Sequence, residues 1–244
     1  MRPPLLLLLI ALAACQVRHP HRITVAVATD LAPWANANAD RLSAALGGRV
    51  TLVPGPSGQL VAQQLAGAPY DLILAADAAP LAPLPESGPC RRATQRSFAT
   101  GSLGIILAAT VARPPSVATL ASDAVSTIAI ANPKHAPYGA LAWRYLASLP
   151  ESARLAPKFV YANSAGDAAS LLEQGAADAA VTAWSLATSL PEARRHRIAS
   201  PGVALAATGI VCGTDRALDA NWAALTAAPW LQASLAEAGF GPPP

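Results

Sequence analysis

The chain is short of charge and of cysteine, and it lacks the spacings that most chemistry requires. Asp, Glu, Lys and Arg make up 13% of its 244 residues. The 17 Lys and Arg stand against 14 Asp and Glu, a formal net charge of +3. So even a balance gives no concentrated basic face, and no nucleic-acid partner is expected. Arg91-Arg92 and Arg194-Arg195-His196-Arg197 are short clusters that read as solvated loops. No Cys-x-x-Cys or His-x-x-x-His spacing is present, so no metal site is expected and no cofactor is assigned. Gly55-Pro-Ser-Gly58 is not the Gly-x-Ser-x-Gly elbow of hydrolases, and Ser57 has no evident base partner. The sequence therefore reads as that of a binder rather than an enzyme. Beyond the N-terminus no apolar run approaches the roughly 20 residues that span a bilayer. There is no internal repeat.

At the N-terminus, Arg2 and the apolar run Leu5 to Leu12 form a targeting segment. Its end, Leu12-Ala13-Ala14-Cys15, resembles a bacterial lipobox. On that reading residues 1–14 are a signal peptide and Cys15 carries lipid, with 15–22 as a tether, so that the lipid is the chain's one contact with membrane. An ordinary signal peptide cut nearby is the other reading. Two cysteines then remain, Cys90 and Cys212. In an oxidising compartment they either pair as a disulfide or serve as two unrelated small apolar residues.

From Ile23 the pattern alternates strand and helix. Strands are expected at Ile23–Ala28, Arg49–Val53 and Tyr70–Ala75, with helices at Pro33–Leu46 and from Ser57. This β-α-β-α-β order implies a parallel sheet with right-handed crossovers. A second β/α unit follows, with strands expected at Ser102–Ala108, Thr127–Ala131, Phe159–Tyr161 and Ala179–Ala183. Its helices are expected near Val117–Ala121, at Ala140–Leu149, and from the capping-box pattern Ser164-Ala-Gly-Asp167 through Glu173. A strand near Val203–Cys212 and helices around Ala217–Ala227 and Trp230–Ala238 close the chain. Two α/β lobes are expected: residues 23–100 with 202–244, and residues 101–201. Trp222 and Trp230 are expected to pack the first.

The most informative run is Gly55 to Asp77. It reads as a Ser/Gly turn, an amphipathic helix with Leu60, Val61 and Leu65 on one face, a Gly-Ala-Pro break, and a buried strand ending in Asp. Ser57 stands where an N-cap belongs. A hydroxyl beside the unpaired N–H groups of a helix start makes a small anion site.

This run resembles the Ser-Gly-x-Leu … Gly-Ala-Pro-x-Asp … Ala-Asp segment of periplasmic molybdate-binding proteins, the receptors of molybdate ABC importers. Further landmarks occur in the same order: Ile23 to Leu31, Asn132-Pro-Lys-His-Ala-Pro-Tyr-Gly139, Asn163-Ser164 before a helix, and Gly239-Phe-Gly-Pro-Pro243. The resemblance implies a two-lobed type II periplasmic binding protein of the α/β class, each lobe a sheet flanked by helices, with the ligand cleft between them. It implies a monomer that holds molybdate or tungstate and hands it to a permease and its ATPase. It also assigns contacts. Ser57 offers its hydroxyl. Tyr138 falls where a small residue usually offers its backbone N–H, and Ala165 is likewise a backbone donor. Thr182 falls where some members place a tyrosine.

The departure is Asp30, where many members carry a serine. A carboxylate about 4 Å from a dianion costs roughly 8 kcal/mol at an effective dielectric of 20. Hydrogen bonds to charged groups contribute roughly 1.5–3 kcal/mol each, too little to offset it comfortably. Three readings stay open. Asp30 turns away to cap the Pro33 helix, leaving Thr29 and backbone N–H groups as donors; or it is protonated and donates; or the ligand is something else.

Overall fold

The computed structural model describes residues 21–200 and 202–244. The expected signal segment 1–14, Cys15 and the tether as far as residue 20 lie outside the described residues. Among the described residues no helix is long and apolar enough to cross a membrane.

Three parallel strands form first: β1 (Arg22–Ala28), β2 (Arg49–Gly55) and β3 (Leu72–Ala75), in the order β2-β1-β3. Apart from the half-buried Thr24, residues 23–28 of β1 are buried, as in a strand covered on both faces. Parallel strands need crossovers, and helices supply them. These are α1 (Ala32–Ala37), α2 (Ala39–Leu46) and α3 (Ser57–Leu65). The single helix expected over Pro33–Leu46 is two helices, broken at Asn38. The Asn38 side-chain amide and its backbone N–H both donate to the Trp34 carbonyl, at 3.0 and 3.1 Å. Such local side-chain bonding competes with helix propagation.

The next strand, β4 (Arg96–Leu107), starts six residues before its expected beginning at Ser102. After it come α4 (Val117–Ala121), β5 (Ile128–Ala131), α5 (Pro137–Ala147), α6 (Ser152–Leu155), β6 (Phe159–Ala162), α7 (Ala165–Glu173), β7 (Ala179–Ala183) and the short β8 (Arg195–Arg197). The chain ends with β9 (Ala204–Val211), α8 (Ala217–Thr226) and α9 (Pro229–Glu237). The strand order is β2-β1-β3-β9-β4-β7-β5-β6, with β8 also on β4.

β4 belongs to both halves of this sheet. Its first part, Arg96–Ser102, pairs antiparallel with β9, which in turn pairs with β3. Its second part, Leu103–Leu107, pairs antiparallel with β7, which runs parallel to β5 and β6. The early start has its reason here, because Arg96 and Ser97 are strand residues only through β9, more than 100 positions later. The chain crosses between halves twice, within β4 and between β8 and β9.

The C-terminal helices return to the first half. Trp222 of α8 is buried, meets Phe98 edge-on at 5.7 Å, and donates from Nε1 to the Thr94 carbonyl at 3.0 Å. Trp230 carries the Arg41 guanidinium 4.2 Å above its ring. Past α9, Thr100 and Gly241 exchange backbone hydrogen bonds at 2.9 and 2.7 Å. Cys90 and Cys212 form a disulfide across 122 positions of chain, a loop that contains the whole second half.

Candidate functional site

Strand C-termini and helix N-termini of the two halves meet at one place. From the first half come the turn after β1, the start of α3 and the residue after β3. The starts of α5 and α7 come from the second. Ala28, Thr29, Asp30, Ser57, Tyr138 and Ala165 all line one small cavity there, of about 10 Å³. That is room for about one water. The first-turn N–H groups of α3, α5 and α7 have no intrahelical acceptors, and helix N-termini carry partial positive charge. Such an arrangement holds an anion without a buried cation.

The two halves are closed on this cavity. Thr29 Oγ1 accepts from the Gly166 N–H at 3.2 Å, and the Ser185 hydroxyl donates to the Asp30 carbonyl at 3.0 Å. Both bonds cross between halves. Gly58 makes the approach possible, because a Cβ there would stand 2.9 Å from the His135 carbonyl oxygen. Two open clefts flank the closure. One of about 430 Å³ includes Asp77, Lys134, His135 and Arg144 in its walls, and one of about 560 Å³ includes Gln59 and Asp167.

Ser57 does not cap α3. Pro56 is the N-cap residue, and Ser57 is the first helical position, 1% exposed. Its Oγ accepts from the Ala76 N–H at 3.0 Å, which ties α3 to the end of β3. With its oxygen so engaged, the hydroxyl proton is left to donate into the cavity. At the start of α7, Ser164 is a true cap, accepting from the Asp167 N–H at 3.0 Å.

Asp30 does not cap α1 either. The N-cap of that helix is Leu31, which makes no side-chain cap, and Asp30 is 3% exposed. The Tyr138 hydroxyl faces its carboxyl and favours the ionised form, while among the described residues Oδ2 has no hydrogen-bond partner. A buried polar atom left unpaired costs about 1–3 kcal/mol. Burial raises the Asp30 pKa from 3.8 to about 7, against the opposing pull of Tyr138 and of the Asp30 and Leu31 N–H groups. Burial also pushes the Tyr138 phenol well above its usual range, with the charges of Asp30 and Asp77 adding to the effect.

Tyr138 therefore enters the site with its side chain, not only through its backbone N–H. It is 2% exposed, and its hydroxyl rests on Gly101 of β4, where any Cβ would overlap it. Thr182 stands apart from the cavity. Its hydroxyl donates to the Ala165 carbonyl at 2.9 Å, so it holds the start of α7 in place. The expected donor at that position is replaced by a positioning contact.

Residues 23–240 match the family described as bacterial extracellular solute-binding protein. The chain belongs to this family. These solute-binding proteins are binders and not enzymes. A curated relative, the molybdate-binding protein ModA of Rhodobacter capsulatus, is 33% identical over 139 residues, 57% of this chain and 55% of that one. ModA of Azotobacter vinelandii is 30% identical over 163 residues, 67% of this chain and 65% of the relative. The matched stretches thus span between half and two thirds of these relatives. The solved structure of the Azotobacter vinelandii periplasmic molybdate-binding protein superposes with a TM-score of 0.76 at 24% identity, covering 91% of this chain and all of that one. That likeness establishes the periplasmic binding protein fold.

One cavity thus brings together Thr29, Asp30, Ser57, Tyr138 and Ala165 of the residues singled out in the sequence. Gly101, Gly166 and Ser185 went unnoticed there. Glycine and serine are too common for their type to flag them, and their roles depend on partners 37 to 155 positions away.

Proposed function

We propose that this protein is the extracytoplasmic receptor of an ABC importer and that its cleft captures a tetrahedral oxyanion, molybdate or tungstate, for delivery to the permease and its ATPase. The observation that carries this reading is the convergence of the α3, α5 and α7 N-termini, with the Ser57 hydroxyl, on one small cavity. Oxygen atoms without protons are what such donors suit. The curated relatives are named for molybdate, which supports that choice. Lipid at Cys15 would hold the receptor, as a monomer, beside its permease.

A shift in melting temperature with molybdate, tungstate, sulfate and phosphate tests the reading. Stabilisation by molybdate or tungstate at tens of micromolar is the expected result, and no shift with either at any pH between 6 and 8.5 overturns it. A second reading, a different small ligand, is favoured by one observation. The Asp30 carboxyl and the Tyr138 ring fill space that the resemblance assigns to smaller side chains. A shift with phosphate or a small organic acid but not with molybdate would select it.

A further inference from the structure

We propose that Asp30 is a proton-carrying ligand contact: the captured oxyanion and the Asp30 carboxyl share one proton, so that taking up a fully deprotonated dianion also takes up a proton. This rests on the oxyanion reading of the cleft and adds to it the partner that balances the charge.

The geometry is that of an unfinished contact. Asp30 lines the cavity, is 3% exposed, and leaves Oδ2 without a hydrogen-bond partner. The Tyr138 hydroxyl is engaged with the same carboxyl. The cavity of about 10 Å³ admits a water-sized group. An anion with four oxygens enters only when the halves part at Thr29–Gly166 and Ser185–Asp30, and when Tyr138 and Asp30 separate. The anion then meets the Ser57 hydroxyl, the helix N–H groups and the released Tyr138 hydroxyl, all donors. Oδ2 is the exception among them. As a carboxylate it repels the ligand, and as a carboxylic acid it joins the donors.

Among the described residues no basic side chain lines the cavity to neutralise a second negative charge. The groups around Asp30 are Tyr138 on α5, Asp77 after β3, and Arg41 of α2 with Glu237 of α9 across a separate groove of about 420 Å³ that Asp30 also borders. Gly101 of β4 and Ser185 bring no charge. The charge of Asp77 is negative and bears on Tyr138, so it neutralises nothing in the site. Burial already holds the group protonated to about pH 7. A dianion brought beside it extends that range upward, because like charges cannot both persist in a dry site. An oxyanion that carries its own proton, such as hydrogen phosphate, meets Oδ2 as an acceptor and needs no further proton.

Titration calorimetry tests this with molybdate and with inorganic phosphate from pH 6 to 8.5, in buffers of different ionisation enthalpy. For the wild-type protein the molybdate Kd is expected to weaken about tenfold per pH unit at the alkaline end, with one proton taken up at pH 8. Phosphate at pH 8 is expected to take up none. Asp30→Asn is expected to bind molybdate with a flat pH profile and no proton uptake, more than tenfold tighter than wild type at pH 8. Tyr138→Phe keeps the slope but moves its onset to higher pH, since it removes a bond that favours the ionised carboxyl. Melting curves confirm that each variant is folded. A flat wild-type profile, or the same slope in Asp30→Asn, overturns the proton linkage and leaves the oxyanion reading standing. Binding of no oxyanion by wild type or Asp30→Asn at any pH overturns both.

Discussion

The two walls of the cavity are built on opposite principles. On one wall, Ser57 and the starts of α3 and α7 present hydroxyl and N–H donors, each fixed by a short local bond: Ser57 to Ala76, Ser164 to Asp167. On the other, Asp30 presents an acceptor with one oxygen unpaired, held by a tyrosine 108 positions away. The donor wall is satisfied by its own backbone and is stable whatever occupies the site. The acceptor wall is strained electrostatically, and its protonation state depends on what lies opposite. On the reading proposed above, generic anion affinity comes from the first wall, and discrimination among anions and sensitivity to pH come from the second.

The comparison breaks if damage elsewhere reproduces the behaviour of the acceptor wall, so the largest expected effect serves as a control. Replacing Cys90 and Cys212 by alanine opens a loop of 122 positions. In the chain-entropy account this costs about 5 kcal/mol. Denaturant titration should show that loss with the pH dependence of stability unchanged.

Asp30→Asn should do the reverse. The folded protein holds the Asp30 proton to about pH 7, whereas the unfolded chain releases it near 3.8. The folded state therefore binds more protons between these values, and stability falls as pH rises through the window from about 4 to 7. Three units correspond to about 4 kcal/mol. The asparagine variant should gain up to that amount at pH 8 and little at pH 4. An equal gain at both pH values would place the effect in packing rather than charge.

Gly101→Ala should cost about 1–3 kcal/mol by overpacking, because its Cβ overlaps the Tyr138 hydroxyl. Combining it with Tyr138→Ala should recover most of that increment in a double-mutant cycle. Additive costs would show that the tyrosine does not rest on β4. The donor wall should yield the smallest effects. Ser164→Ala removes a cap worth about 1 kcal/mol. Ser57→Ala leaves the Ala76 N–H buried without an acceptor, for about 1–3 kcal/mol. Neither should alter the pH profile, and a change in that profile for Ser57→Ala would couple the two walls.

Local signals carried most of the fold. β7 is found at Ala179–Ala183 and α7 ends at Glu173, as the apolar run and the Ser164 cap imply. The order of strands and helices was readable because each element has its own hydrophobic period. What escaped was made by distant partners. β4 gains its first six residues from β9, and α1 and α2 separate only because Asn38 bonds back to Trp34. The site was half readable for the same reason. Ser57 and Ala165 belong to helix starts, which have a signature. The Asp30–Tyr138 pair has none, since nothing in either segment encodes the other, and the cap expected of Asp30 gave way to burial against Tyr138.

The shared strand β4 has a mechanical consequence. Its hydrogen bonds to β9 end at Ser102 and those to β7 begin at Leu103. A change in angle between the two halves would thus fall on the β8–β9 connection and on one peptide link in a strand clamped on both sides. Strand twist varies by tens of degrees at little cost, so this clamp behaves as a torsion spring rather than a loose joint. A rotation of one half against the other would pass through this link, and Tyr138, whose hydroxyl rests on Gly101 just before it, is placed to sense that rotation.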